Sequence, residues 1–179
     1  MITAIDKKTL RKDALKLRSQ MADSGAIKIK SNKIVSKILN SHEFQNAKHI
    51  AIYLPIKNEI DIRELLKIKN KNFYIPRCND LDLEFCLYKG LDFLKTGAFG
   101  ILEPINESVS PDILDIVYIP ALMANNKNYR LGYGKGYYDR FFAKNNTKAK
   151  KIIVIAREFY SDAFLQEDFD VPADNVLFD

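Results

Sequence analysis

The segment Arg130-Leu131-Gly132-Tyr133-Gly134-Lys135-Gly136-Tyr137-Tyr138-Asp139-Arg140 holds three of the seven glycines of the chain at alternate positions, directly before a helical pattern. Glycine lets backbone N–H groups close on an anion with no Cβ in the way. A helix N-terminus adds free N–H groups and a positive dipole end. Arg130 and Lys135 add full positive charges, so the segment reads as a phosphate cradle: two cations surrounded by the N–H groups of Gly132, Gly134 and Gly136. It matches neither common nucleotide signature. A P-loop ends in Gly-Lys-Ser/Thr, whereas Lys135 is followed by Gly136, and the dinucleotide motif spaces its last two glycines three apart, whereas Gly134 and Gly136 are two apart. GxGxG by itself is more often a flexible connection; the flanking Arg, Lys, Tyr and Asp favour function.

Such a loop needs a rigid frame, and the rest of the chain supplies one. Asp6 to Gln20 carries Leu10, Ala14, Leu15 and Leu17 at helical spacing among Lys and Arg, with Asp6 as a cap. A second helix is expected from about Ile27 to Leu39, with Ile27, Ile34, Val35 and Ile38 as its apolar stripe. Short apolar runs at Ile50 to Leu54, Phe73 to Ile75, Phe85 to Leu87, Ile116 to Ile119 and Ile152 to Ala156 read as buried strands. Helical patterns at Ile62 to Ile68 and Tyr137 to Ala143 lie between them. This alternation predicts an α/β fold, a mostly parallel, Rossmann-like sheet flanked by helices, with ligands beyond the carboxyl ends of the strands. The segments after the first and fourth runs, Pro55 to Glu59 and Pro120 onward into the glycine loop, are therefore where a site is expected.

At 179 residues the chain is expected to form one domain, 1–179. Lys and Arg number 28 against 23 Asp and Glu, a formal charge of +5, and the 47% hydrophobic content excludes a disordered polycation. The basic excess favours anionic partners without choosing among nucleic acid, phosphates and carboxylates. Cys78 and Cys86, eight positions apart, suit neither a thiolate metal site nor a disulfide scaffold, and point to a reducing cytoplasm. No run approaches the ~18 apolar residues of a membrane span, and the N-terminus lacks the apolar run of a signal peptide. Two rival readings remain at this point: an RNA-binding protein, from the basic and Tyr-rich glycine loop, and a different α/β enzyme such as a sugar-phosphate isomerase or acyl-carrier transferase. The modest charge and the lack of a recognised RNA-binding module weigh against the first.

The glycine segment resembles the signature of the 5-formyltetrahydrofolate cyclo-ligase family. Shorter matches follow in order: Lys7-Lys8-Thr9-Leu10-Arg11, Tyr53 to Ile60, Phe99-Gly100-Ile101-Leu102-Glu103-Pro104, Asp115 to Leu122 and Asp170-Val171-Pro172. The eleven-residue signature is highly specific, and the others gain weight from their order. The chain departs from the family pattern at Ala124-Asn125, where Phe-Asp is common, at Asn128, where Gly is common, and at Phe169, where His is common.

The resemblance implies a fold like that of the NagB/RpiA/CoA-transferase group and an ATP- and Mg2+-dependent ring closure of 5-formyltetrahydrofolate, polyglutamylated or not. It places ATP against Lys7, Arg11 and the segment Arg130, Leu131, Gly132, Tyr133, Gly134, Lys135, Gly136, Tyr137 and Tyr138, with Arg130 and Lys135 as the catalytic cations. It places the folate against Leu54, Glu59, Phe99, Tyr133, Gly134, Lys135, Gly136 and Tyr137, and the metal at Asp139 and Asp170. The expected protein is a cytoplasmic monomer with no nucleic-acid or membrane partner.

Overall fold

Runs of branched and aromatic residues bounded by Pro, Asn and Gly become the strands of a six-stranded sheet. The computed structural model describes residues 6–97 and 100–179. In chain order the elements are α1 (Lys7–Asp23), α2 (Ala26–Leu39), α3 (His42–Asn46), β1 (His49–Ala51), β2 (Asn72–Asn79), β3 (Asp82–Leu87), β4 (Leu94–Thr96), β5 (Leu102–Pro104), β6 (Ile116–Pro120), β7 (Met123–Ala124), β8 (Arg130–Leu131), α4 (Tyr137–Lys144), β9 (Lys150–Val154) and β10 (Asn175–Leu177). The main sheet has the order β10-β9-β6-β1-β2-β3. Its pairings are parallel except the last, where β3 returns antiparallel to β2. The expected α/β fold, a mostly parallel sheet with flanking helices, is what forms.

Central strands of a parallel sheet are covered on both faces, which is why they read as continuous apolar runs. Ile50, Ala51, Ile75, Val117, Ile119, Ile153 and Val154 are all buried. The run at 50–54 does not stay in the ladder to its end. Ile52 still donates its N–H to the Tyr74 carbonyl at 2.8 Å, but Tyr53 and Leu54 leave the strand at its carboxyl end and line a cavity.

α1 starts where Asp6 accepts the Thr9 N–H at 3.1 Å. Its buried row is Leu10, Ala14, Arg18 and Met21. Leu17, assigned by pattern to the apolar stripe, is 38% exposed, and its neighbour Arg18 is 3% exposed. The stripe is rotated by one residue, and a charge lies where an apolar residue was expected. Three further differences are short elements. The pattern at 62–68 forms only a 3₁₀ turn, Arg63–Lys67. Two small ribbons, β4 with β5 and β7 with β8, carry too few residues to show a period in sequence. Among the described residues no helix is long and apolar enough to cross a membrane.

Candidate active site

The carboxyl ends of β1, β2 and β6 open into a cavity of about 1090 Å³, roofed by the glycine loop and by the first turns of α1 and α4. The loop leaves β8 at Leu131, whose carbonyl accepts the Leu122 N–H at 2.8 Å. Gly134 has φ +92°, and a Cβ there would meet the Arg11 guanidinium at 3.5 Å. Gly136 has φ +66° and forms the N-terminal boundary of α4; a Cβ there would lie 2.9 Å from Arg140 Nη1. Both positions therefore need glycine for conformation, and at Gly136 a Cβ would also push the Arg140 guanidinium aside. Two arginines hold the loop from outside. Arg11 Nε donates to the Gly132 carbonyl at 2.9 Å. Arg140 Nη1 donates to the Lys135 carbonyl at 2.8 Å, and its Nε and Nη2 donate to the Leu81 carbonyl at the β2–β3 turn at 2.9 and 2.7 Å. Lys135 itself is exposed and lines the cavity.

At one end of the cavity, positive and negative side chains are already matched. Arg130 Nη2 lies 2.7 Å from Asp139 Oδ2, and its guanidinium sits 5.5 Å from the Tyr138 ring centroid. Asp139 Oδ1 accepts the Val171 N–H at 3.1 Å. Burial pushes the Asp139 carboxyl up, Arg130 opposes this, and the nearby Asp170 charge adds to it. Burial likewise lowers Arg130, while Asp139 favours its charged form. Lys7 Nζ reaches Asp170 Oδ2 at 3.3 Å and Glu167 Oε2 at 3.1 Å, and Asp170 Oδ2 also accepts the Glu167 N–H at 2.8 Å. Arg130 and Lys7, expected to face a phosphate directly, thus each hold one of the two expected metal ligands.

Among the described residues no three His, Cys, Asp or Glu side chains are grouped to hold a metal alone. Magnesium does not require that, because it takes one or two carboxylates together with phosphate oxygens and water. A carboxylate has about four lone-pair sites. The donors to Asp139 and Asp170 leave some of these open, so the chemistry of each carboxylate fits a Mg2+ ligand.

The opposite end is built around Glu59, which is 4% exposed. Its Oε2 accepts the Ile56 N–H at 2.9 Å, and its Oε1 accepts the Tyr133 hydroxyl at 3.1 Å. Arg18 Nη1 donates to the same hydroxyl at 3.0 Å and stands 4.0 Å from Glu59 Oε1. The turn that presents Glu59 closes through its own N–H, which donates to the Ile56 carbonyl at 3.0 Å. The two central residues, Lys57 and Asn58, are left-handed at φ +47° and +59°, a conformation that costs ordinary residues roughly 1–2 kcal/mol each. Lys57 Nζ lies 5.1 Å from the Tyr133 ring centroid. Burial pushes the Glu59 carboxyl up, and the Ile56 N–H, Arg18, Tyr133 and Lys57 pull the other way.

The structure brings the expected residues Lys7, Arg11, Leu54, Glu59, Arg130 to Asp139 and Asp170 to one cavity. Phe99 lies outside the described residues. Tyr138 and Leu131 contribute differently from Tyr133 and Tyr137. Leu131 is buried, and the Tyr138 ring packs on the Arg130 guanidinium at 5.5 Å. Asn128 has φ +61°, the left-handed region that Asn tolerates better than most residues, so it does the work of the commoner Gly. Asn125 is buried and accepts the Lys127 and Tyr129 N–H groups at 3.1 and 3.0 Å. Phe169 is 68% exposed on the cavity rim.

Two cavity-lining residues, Glu103 and Lys57, and the buried Arg18 were given no role from the sequence. Glu103 is 5% exposed and accepts the Cys78 N–H at 3.1 Å. Lys57 belongs to a turn with no glycine to mark it. Arg18 had a signal, a basic residue at the same spacing as Leu10 and Ala14, but the many Lys and Arg of α1 concealed it.

Comparison with known proteins gives one result throughout. Residues 3–179 match the model of the 5-formyltetrahydrofolate cyclo-ligase family. A protein of Mycoplasma pneumoniae named 5-formyltetrahydrofolate cyclo-ligase is 30% identical over 182 residues, covering 98% of this chain and 99% of its own. Its namesake in Mycoplasma genitalium is 28% identical, covering 97% and 98%. The solved structure of Aquifex aeolicus 5,10-methenyltetrahydrofolate synthetase superposes with TM-score 0.84 at 31% identity, over 96% of this chain and 89% of that one. The synthetase structure from Mycoplasma pneumoniae gives 0.78 at 28% identity, over 97% and 98%.

Proposed function

The chain belongs to the 5-formyltetrahydrofolate cyclo-ligase family and is a ligase; from this premise we propose that it converts 5-formyltetrahydrofolate and ATP to 5,10-methenyltetrahydrofolate, ADP and phosphate, with Mg2+. The observation that carries the reading is the cavity itself: a glycine loop with Lys135 at one end and the buried Glu59–Tyr133 pair at the other, both in one space of about 1090 Å³.

The formyl oxygen of the substrate is an amide oxygen and a weak nucleophile. It attacks the γ-phosphorus, the bond from that phosphorus to the ADP oxygen breaks, and ADP leaves with the electron pair. Nitrogen 10 then attacks the phosphorylated formyl carbon and closes the ring, loses its proton to solvent, and the C–O bond breaks so that phosphate leaves with the electron pair and the methenyl amidinium forms. Rate enhancement in such a transfer comes from alignment and from stabilising charge on the phosphoryl group. Lys135 supplies a cation at the cavity wall, and the N–H groups of the glycine loop supply fixed dipoles. Arg11 and Arg140 bond carbonyls of that loop and so hold its shape. Magnesium, when bound at Asp139 and Asp170 with phosphate oxygens, supplies further charge neutralisation.

At the other end, the ionised Glu59 carboxylate accepts from the amino groups of the pterin edge, and the Tyr133 and Tyr137 rings and Leu54 provide apolar surface for the flat ring system. The test is to mix protein, 5-formyltetrahydrofolate, ATP and magnesium and to follow the ultraviolet absorbance of the methenyl product. An ATP-dependent rise is expected; its absence with folded protein contradicts the reading.

A further inference from the structure

We infer that Arg18 is a positioning residue, which holds the Glu59 carboxylate and the Tyr133 hydroxyl in the arrangement that meets the folate; this rests on the folate reading of Glu59 given above. Arg18 is 3% exposed, on the inward row of α1. Both terminal nitrogens of its guanidinium donate, and one face packs on an aromatic ring. Nη2 donates to the Ala121 carbonyl at 2.7 Å, just past β6. Nη1 donates to the Tyr133 hydroxyl at 3.0 Å, and the guanidinium carbon lies 5.3 Å from the Phe159 ring centroid. With its oxygen accepting from Arg18, the Tyr133 hydroxyl has its hydrogen to give, and gives it to Glu59 Oε1 at 3.1 Å. The chain of donors therefore runs in one direction, from α1 through the glycine loop to the carboxylate.

A buried charge is expensive without a partner. Glu59 is not in contact with a cation as Asp139 is: the Arg18 nitrogen stands 4.0 Å from it, with the tyrosine hydroxyl bonded to both. This spacing stabilises the ionised carboxylate and still leaves its lone pairs available to a ligand. A guanidinium bonded directly to both oxygens would compete with the substrate amino groups.

The groups that face Glu59 come from five places. Arg18 is on α1, Lys57 is on the turn of Glu59 itself, Tyr133 is on the glycine loop, and Tyr53 and Tyr138 feel its charge from the end of β1 and from α4. Arg18 and Lys57 are the cations, and Arg18 is the buried one. Burial raises the Glu59 carboxyl and Arg18 lowers it, so loss of the guanidinium lets it rise further. Folate binding that needs the ionised form then fails at a higher pH than in the wild type.

The experiment uses Arg18→Met and Arg18→Lys, with KM for 5-formyltetrahydrofolate measured across pH at saturating ATP and magnesium, KM for ATP measured at one pH, and the thermal midpoint recorded. For Arg18→Met the folate KM at neutral pH should rise about tenfold, and its acid limb should move up by about one pH unit. The KM for ATP should stay within about twofold, and Arg18→Lys should recover a large part of the loss because it keeps the charge. If both KM values rise alike while kcat falls, or the acid limb stays in place, Arg18 is only a structural residue and the inference fails. Should Arg18→Met not fold, Arg18→Gln, which keeps a donor and removes the charge, decides alone: an unmoved folate KM and acid limb in it overturn the inference. A wild-type protein that makes no methenyl product contradicts the function instead, so the two failures are distinguishable.

Discussion

The two ends of the cavity solve the problem of buried charge in opposite ways. At the proposed phosphate end the two expected metal ligands each have a cation in contact: Arg130 is 2.7 Å from Asp139 and Lys7 is 3.3 Å from Asp170. At the folate end Glu59 has its nearest guanidinium nitrogen at 4.0 Å and relies on neutral donors. The first arrangement suits the proposed binding of a polyanion and a metal, because the ion pairs hold the carboxylates in place until the ligands arrive. The second suits recognition of neutral amino groups, since a carboxylate that accepts from a hydroxyl and one N–H keeps capacity for more.

The largest expected effect attacks the phosphate end. Asp139→Ala strands the Arg130 guanidinium, whose side chain is 8% exposed, and should lower stability by about 3–5 kcal/mol in denaturant titration. A loss under 1 kcal/mol would mean that the pair is not part of the fold. Lys135→Ala, on the exposed loop, should leave the thermal midpoint in place and reduce kcat by a factor of about 10²–10³, equivalent to roughly 2.7–4 kcal/mol. A drop in midpoint with a matching kcat would remove the distinction between a held ion pair and a working cation.

Smaller, and confined to the other end, Glu59→Gln should raise the folate KM by a factor of about ten to a hundred, since bonds to a charged acceptor are worth roughly 1.5–3 kcal/mol. The sign of its pH dependence follows from burial. The ionised form binds, the carboxyl is pushed up, and so wild-type folate affinity falls as pH drops through that raised value, while Glu59→Gln shows no such limb. An acid limb that survives in Glu59→Gln would assign the titration to another group.

Local chemistry was legible in sequence where a few residues dictate it. Gly134 and Gly136 have the positive φ that their spacing before α4 suggests, and the central strands declared themselves because both of their faces are buried. Partnership was not legible. Nothing in Arg130 or Lys7 reveals that each is bonded to an aspartate, because those contacts join segments brought together only by the sheet. Arg18 was hidden for a related reason: a helix rich in Lys and Arg offers several near-equivalent faces, and the choice of a stripe containing a charge depends on Tyr133, 115 positions away. The ribbons β4–β5 and β7–β8 are too short for any periodicity to show.

The most direct measurement is the coupling between the two ends, read as ADP released per methenyl product formed, with each substrate omitted in turn. One cavity that aligns a formyl oxygen with a γ-phosphate predicts one ADP per product, no product without ATP, and no more than background ADP without the folate. Product formed without ATP, or steady ADP release without folate, would contradict it.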